Sequence, residues 1–402
     1  MAKACVLAYS GGLDTSVAIG WLRDKFGFDV IALAVDVGQG VDHDSLISKG
    51  AACGATETIV VDAREEFARD FVLHALRANA LYMGKYPLVS ALSRPLIVRH
   101  LVRVARELGA TAVAHGCTGK GNDQVRFEVS VGALAPDVEV LAPVRDAGLT
   151  RDAAIAYAEE RDIPIPVTKS SPYSIDENLW GRTIECGAIE DPWIAPPADA
   201  YAWTADPMTA PADPETIVLG FEAGIPTSLD GAARGLVELI GAVGERAGAH
   251  GVGRVDMIED RLVGIKSREI YEVPAALTLI AAHRDLEDLT LERSLAAYKR
   301  GVEQTYAELV YNGLWYSPLR LALDAFIAST QRPVSGEARV RLHRGTAVVE
   351  GRRSPSALYS HALATYGAGD SFDHDAAAGF VRLWGLPFKV WAEKQPPGEG
   401  SP

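Results

Sequence analysis

Between Lys3 and Gly40 the chain passes twice from an unbroken apolar run into a glycine-bearing turn, and this rhythm limits the possible folds more than any other feature. "KACVLAYS" reads as a buried strand. "LDTSVAIGWLRDKFG" follows with helical spacing through Val17, Ile19, Trp21 and Leu22 and a stop at Gly27, and "DVIALAVDVG" is a second, continuously apolar strand. Strands of a parallel sheet read this way because helices cover both of their faces. The alternation continues. "HDSLISKGAACGA", "REEFARDFVLHALRANA" and "RPLIVRHLVRVARELGA" read as helices, and "ETIVVDA", "TAVAHG" and "VEVLAPV" as strands. Strands alternating with helices predict an α/β fold with a doubly wound parallel sheet. Such sheets bind ligands at the carboxyl ends of their strands. "AYSGG", "VDVGQG" and "AHGCTGKGND" fall at such ends, so three loops are expected on one rim.

Asp191 to Glu215 carries six prolines and reads as a crossing between lobes. Beyond it the pattern changes. "ETIVLGFEAGIPTSL" resembles a hairpin, "ARGLVELIGAVGERAGAH" a helix and "VGRVDMIEDRLVGIKSREIYEVP" two strands. Long helices fill Ala275 to Thr330, and "ARVRLHRGTAVVEGRR" is another hairpin. This half is expected to be an α+β domain. A length of 402 residues fits two or three domains. The tail holds Phe380, Leu383, Trp384, Leu386, Phe388, Val390 and Trp391, and an apolar segment that large must be covered by its own body or a neighbour.

The net charge of −14 and the lack of a Lys/Arg cluster argue against a nucleic-acid partner. Cys5, Cys53, Cys117 and Cys186 form no CxxC pair and have no His at metal-ligand spacing. A zinc site or disulfide framework is not expected, and a reducing cytoplasm fits. No stretch approaches the roughly 20 apolar residues of a membrane span, and the start lacks a signal-peptide run.

"AYSGGLDTS", Ala8 to Ser16, combines a strand end, a Gly-Gly turn and a helix start. Gly11 and Gly12 allow a tight turn and close backbone approach. The first amides of the helix and its dipole favour an anion, and Ser10, Thr15 and Ser16 add hydroxyls. Asp14 either meets a magnesium ion carried by phosphates or is an ordinary first-turn acid. The string is neither GxxxxGK[ST] nor GxGxxG, and it contains no lysine. It resembles the PP-loop of the N-type ATP pyrophosphatases. That resemblance implies cleavage of ATP between the α- and β-phosphates, with pyrophosphate held on the loop.

A second glycine-rich loop, "AHGCTGKGNDQVRFE", carries Thr118, Lys120, Asn122, Asp123 and Arg126. These groups suit a small zwitterion, with donors for carboxylates and an acid for an ammonium. The plainer alternative is a helix start capped by Asn122 or Asp123. Together with "VDVGQG", "PYSIDENLWGR", "ECG", "EDPW" and "GVGRVDMIEDRLVGIKSREIYE", the two loops resemble the argininosuccinate synthases in order and spacing, over most of the chain.

The resemblance implies an ATP- and magnesium-dependent cytoplasmic ligase, typically a homotetramer, that condenses citrulline with aspartate through a citrullyl-AMP intermediate in arginine biosynthesis. It implies a PP-loop domain at 1–170, a synthetase domain at 171–365 and an oligomerisation tail at 366–402. Ala8, Tyr9, Ser10, Gly11, Gly12, Leu13, Asp14, Thr15, Ser16, Val35 (through its backbone) and Gly116 would contact ATP. Thr118, Asn122 and Asp123 would bind aspartate. Tyr86, Asn122, Arg126, Ser174, Thr183, Glu259 and Tyr271 would bind citrulline. Asp14, Asn122, Asp123 and Arg126 form the expected catalytic set, and no residue is assigned to a resident metal. Ala91 stands where the family often has serine, with Ser90 beside it, and Thr183 keeps a hydroxyl at another serine position.

Read singly, Tyr86 and Tyr271 could be half-buried aromatics, Glu259 a hairpin-turn acid, and Arg126 a partner of Glu128. Arg94 and Arg99 either reach phosphate or are helix-surface charges. Cys117 is expected to be a packed residue. Another pyrophosphatase with a different acceptor, or a nucleotide sensor on the same sheet, are the alternative functions.

Overall fold

The computed structural model describes residues 3–148, 151–161, 163 and 173–395. The expected domain joint at 170/171, Pro172 of "PYSIDENLWGR" and the last seven residues lie outside them. Residues up to Ser356 form one compact unit and those from Ala357 a second.

The first unit begins β1 (Ala4–Ala8), α1 (Leu13–Phe26), β2 (Asp29–Asp36), α2 (His43–Ala52) and β3 (Glu57–Asp62). Next come α3 (Arg64–Phe67), a π turn (Ala68–Val72), α4 (Leu73–Arg77), α5 (Val89–Glu107), β4 (Ala112–Ala114), α6 (Asp123–Leu134), β5 (Glu139–Leu141), α7 (Pro143–Asp146) and α8 (Arg151–Glu160). The five strands pair in parallel in the order β3-β2-β1-β4-β5. Alternate residues of β1 feed opposite faces. Cys5 and Leu7 pack with Ala18, Ile19 and Leu22 of α1, whereas Val6 and Ala8 share a core with Leu92, Leu96 and Leu101 of α5. The doubly wound sheet expected from the alternation is present. Strand order reverses between β1 and β4, which makes their carboxyl ends the switch point where such sheets bind ligands.

The rest of the unit is built on two antiparallel sheets. β6 (Ser174–Asn178), β7 (Gly181–Glu185), β11 (Arg254–Asp260) and β12 (Lys266–Glu272) pair in the order β11-β12-β7-β6. β8 (Glu215–Glu222), β9 (Ile225–Leu229), β10 (Ala232–Ala233), β13 (Gly336–His343) and β14 (Thr346–Arg353) form the other. Helices α9 (Leu236–Ala249), α10 (Pro274–Thr290), α11 (Arg293–Tyr311) and α12 (Pro318–Thr330) complete it. One hydrophobic core runs from Val6 of β1 to Leu342 of β13, so the two halves are not packed separately. In the second unit, α13 (His361–Ala364) precedes α14 (His374–Glu393).

Two features were not legible. The run from Arg64 to Arg77 contains the π turn, and "SIDENLWGRTIE" forms the β6–β7 hairpin, whose polar residues hide its period of two. The crossing expected from its prolines has no α-helix or strand before β8, only a short 3₁₀ turn at Ala198–Ala200. It is anchored by Glu272, which is 0% exposed. This carboxylate accepts from the amides of Ala202, Trp203 and Thr204, from the Thr204 hydroxyl at 2.7 Å and from Arg182 at 2.7 Å. Removing one partner of a buried charge pair leaves the other charge uncompensated. Glu272→Ala is therefore expected to lower unfolding stability in urea by about 3–5 kcal/mol. A loss under about 1 kcal/mol would mean that other contacts hold the crossing.

Candidate active site

β1 ends in the buried Ala8, and Tyr9 then continues the ladder by donating its amide to the Leu33 carbonyl at 2.8 Å. Gly11 takes φ +73°, a left-handed turn, and a Cβ there would meet Leu46 at 2.8 Å. α1 then starts without a side-chain cap on Gly12, so its first turn is available to an external acceptor. The Gly12 amide donates to the Ser10 hydroxyl at 3.3 Å, and that hydroxyl lies 3.2 Å from the Thr15 hydroxyl. Ser16 is 0% exposed, and among the described residues its hydroxyl has no hydrogen-bond partner. Leu13 and Asp14 complete the first turn. At the end of β2, the Val35 carbonyl accepts from Gln39 Nε2 at 3.0 Å, and Gln39 Oε1 accepts the Val37 amide at 2.7 Å.

The loop after β4 touches this cradle. A Cβ on Gly116 would come within 2.9 Å of Thr15 Cγ2, so glycine lets the two loops approach closely. Thr118 is exposed farther along the loop. Asn122 takes the N-cap position of α6 but makes no cap. Its side chain instead donates to the Tyr311 hydroxyl at 2.8 Å and accepts the Leu262 amide at 2.9 Å. The capping alternative therefore fails for Asn122.

Asp123 opens α6 between two guanidinium groups. Arg94 Nε donates to it at 2.9 Å and Arg126 at 2.8 Å. Burial would raise the Asp123 carboxyl, but Arg94 and then Arg126 outweigh it and hold it down at about 2. Arg94 also donates to Asp176 at 2.6 Å, and Arg126 to the Tyr311 carbonyl at 3.1 Å. Asp176 in turn accepts from the Ser90 hydroxyl at 2.6 Å, which lies 3.4 Å from Thr183 Oγ1. Ala91 is 1% exposed and packs in the core.

The β6–β7–β12–β11 sheet supplies the facing wall. Its register sets Asp176 opposite Thr183 and Thr183 opposite Tyr271, with Ser174 opposite Glu185. Glu259 on β11 is 3% exposed and accepts from the hydroxyls of Tyr271 and Tyr311, each at 2.5 Å. Tyr86 stacks on Tyr271 at 4.2 Å, and Tyr82 on Tyr311 at 3.5 Å. Nearby, Arg261 bridges Glu185 and Glu269, and burial followed by the Glu185 charge pushes Glu269 up to about 7. Backbone alternation alone puts Ser174, Asp176, Thr183, Glu185, Glu269 and Tyr271 on one face.

Several single-residue alternatives are overturned. Glu259 is a buried strand residue, not a surface turn acid, because two phenols satisfy its carboxylate. Arg126 pairs with Asp123, since Glu128 is taken by Arg145. Tyr86 and Tyr271 are fully buried rather than half-buried, each 2% exposed. Arg99 pairs with Glu66 and Asp70 and lies over Phe71, away from the cradle. Cys117 is packed as expected, partly buried against the core, and desolvation raises its thiol. Arg94, expected either to reach phosphate or to be a helix-surface charge, instead pairs with Asp123 and Asp176, and Asp176 and Tyr311 join the cluster without having been singled out. Asp176 follows Ser174 at strand spacing, a signal that was present. Nothing local to "LVYNG" points to Tyr311.

Comparison with known proteins gives one answer. A family model described as the arginosuccinate synthase N-terminal HUP domain matches residues 4–164, and one described as the arginosuccinate synthase C-terminal domain matches 173–391. Proteins named argininosuccinate synthase are similar over almost their whole length. The one from Brevibacillus brevis is 60% identical over 96% of this chain and 93% of its own. That of Gloeobacter violaceus is 59% identical over 98% and 99%, and that of Ligilactobacillus salivarius 58% over 96% of each.

The Asp123 pairing has a signed pH dependence. Its folded carboxyl ionises at about 2, below the ordinary 3.8, so the stabilisation is complete above about pH 4 and is lost as pH falls through about 2. Asp123→Asn is expected to unfold with a deficit of at least about 2 kcal/mol at pH 5–7, shrinking below pH 4. Urea melts of both proteins across that range measure it. A deficit equal at pH 3 and pH 7 would show that the charge does not carry it.

Proposed function

The chain belongs to the argininosuccinate synthase family, the ATP-dependent ligases that join citrulline to aspartate in arginine biosynthesis, and we propose that its loops divide this work between pyrophosphate and the amino acids. Ala8, Tyr9, Ser10, Gly11, Gly12, Leu13, Asp14, Thr15 and Ser16 hold the phosphates, with Gly116 against the nucleotide and the Val35 backbone toward adenine. Magnesium enters with ATP as its phosphate counter-ion, and Asp14 is the carboxylate we assign to meet it. Thr118, Asn122 and Asp123 bind aspartate. Tyr86, Asn122, Arg126, Ser174, Thr183, Glu259 and Tyr271 bind citrulline, and Ser90 stands in for the serine replaced by Ala91.

The chemistry runs in two displacements. The ureido oxygen of citrulline attacks the α-phosphorus, an O–P bond forms, and the bond to the β-phosphate oxygen breaks to release pyrophosphate. The aspartate amine then attacks the ureido carbon. A C–N bond forms, the amine loses a proton, and the C–O bond to AMP breaks. Adenylation is needed because the ureido oxygen is a very poor leaving group. An Asp123 carboxyl held at about 2 is too weak a base to strip an ammonium, so its role is to orient the amine. Positioning and charge stabilisation supply most of the rate.

The observation that carries this reading is the close approach of Gly116 to Thr15, because the loop that meets the cradle there leads directly into Asp123 and its partners Arg94 and Arg126. We further propose domains at 1–170, 171–365 and 366–402, a cytoplasmic enzyme, and a homotetramer whose tails cover neighbouring subunits. Phe380, Leu383, Trp384, Phe388 and Trp391 of α14 are all at least 60% exposed in the single chain, an apolar surface that calls for a partner.

Pyrophosphate release from ATP and magnesium should require citrulline and aspartate together, with AMP formed in equal amount. Asp123→Ala and Arg126→Ala are each expected to lower kcat/KM about 10²-fold or more. Release that ignores either amino acid would refute the assignment. Deleting Ala376–Pro402 should reduce the mass in solution, and an unchanged mass would refute the role of the tail.

A further inference from the structure

The glycine turn after β1 has no lysine of its own, but α2 brings one to it. Lys49, in the last turn of α2, donates from Nζ to the Gly11 carbonyl. Among the described residues it makes no ion pair, so its charge is aimed at a backbone oxygen and not at a carboxylate. Burial lowers Lys49 from its ordinary value, a sign that the ammonium is partly desolvated there.

A trans peptide is planar, and its C=O and N–H point in opposite directions. Drawing the Gly11 carbonyl outward to Lys49 therefore turns the Gly12 N–H inward. The Gly12 amide does face the Ser10 hydroxyl, next to Thr15 Oγ1, on the inner side of the turn. The unpartnered and fully buried Ser16 hydroxyl lies in the helical turn just after it. Gly11 alone would not maintain this orientation, because glycine visits either sign of φ with little preference. Leu46, one helical turn before Lys49, packs under Gly11 and fixes how close α2 can come.

We propose that Lys49 is a positioning residue for the pyrophosphate half of ATP: its bond to the Gly11 carbonyl keeps the Gly12 amide turned into the cradle, and its ammonium supplies the positive charge that the loop sequence lacks. The proposal rests on the reading of Ala8–Ser16 as the pyrophosphate cradle.

The test separates the two ends of the nucleotide. Lys49→Met, Lys49→Gln and Lys49→Arg are assayed in the full chain for the KM of ATP, citrulline and aspartate, and for inhibition by pyrophosphate and by AMP. In Lys49→Met the KM for ATP and the inhibition constant for pyrophosphate should each rise about 10-fold, the loss expected for one charge-assisted bond. The AMP constant and the amino-acid KM values should stay within about twofold, because AMP lacks the pyrophosphate half that the proposal assigns to the turn. Lys49→Arg should recover most of the loss. Lys49→Gln keeps a donor without the charge and provides the reading if the methionine variant does not fold. Equal weakening of pyrophosphate and AMP, or no change in either, would overturn the proposal. If pyrophosphate fails to inhibit the unsubstituted enzyme, the cradle reading itself falls, which is a separate outcome.

Discussion

Two guanidinium groups converge on Asp123, and the joining of the two halves depends on them. Arg94 comes from α5 and reaches Asp176 on β6, whereas Arg126 comes from α6 and reaches the Tyr311 carbonyl at the end of α11. Both arginines share Asp123, and each ties the parallel-sheet half to the later half, Arg94 through the Asp176 carboxylate and Arg126 through the Tyr311 carbonyl. Buried charges are costly unless they are paired and hydrogen-bonded. Here every partner is supplied, and the half-buried Asp123 stays ionised at neutral pH. A geometry this constrained suits a site whose main task is to orient two amino acids.

The same logic recurs where the later half is held together. Glu272 satisfies three amides, a hydroxyl and Arg182 in the crossing. Farther on, Asn79, His283, Glu287, Lys299 and Gln331 form a buried network between the segment after α4 and the helices α10 to α12. Satisfied networks of this kind favour one packing over its neighbours because any shift strands a charge. The tyrosine layer works alongside them. Tyr82, Tyr86, Tyr271 and Tyr311 stack in pairs, and two of their hydroxyls donate to Glu259.

The family assignment fits this arrangement. At the switch point of the parallel sheet the loops after β1 and β4 meet at Thr15 and Gly116. Gly38 extends the rim, since a Cβ there would come within 2.9 Å of the Leu179 amide, where the β6–β7 turn docks on the end of β2. The β6–β7 sheet is in this way seated directly against the loop after β2.

Local patterns were enough for the parallel sheet, its helices, the glycine loops and the crossing. Strand and helix periodicity, glycine turns and proline all act over a few residues and leave their mark in the chain itself. The β6–β7 hairpin escaped because its residues carry no apolar rhythm, and the π turn because one wider turn inside a helical run leaves the apolar spacing around it intact. In the site, Asn122, Asp123 and Arg126 stood out as one dense motif, but their partners did not. Arg94, Asp176, Tyr311 and Lys49 are ordinary residues on ordinary elements, distant in sequence from what they touch. Whether an arginine lies on a surface or against a buried acid is decided when distant elements pack and remove both from water, and no local pattern records that event.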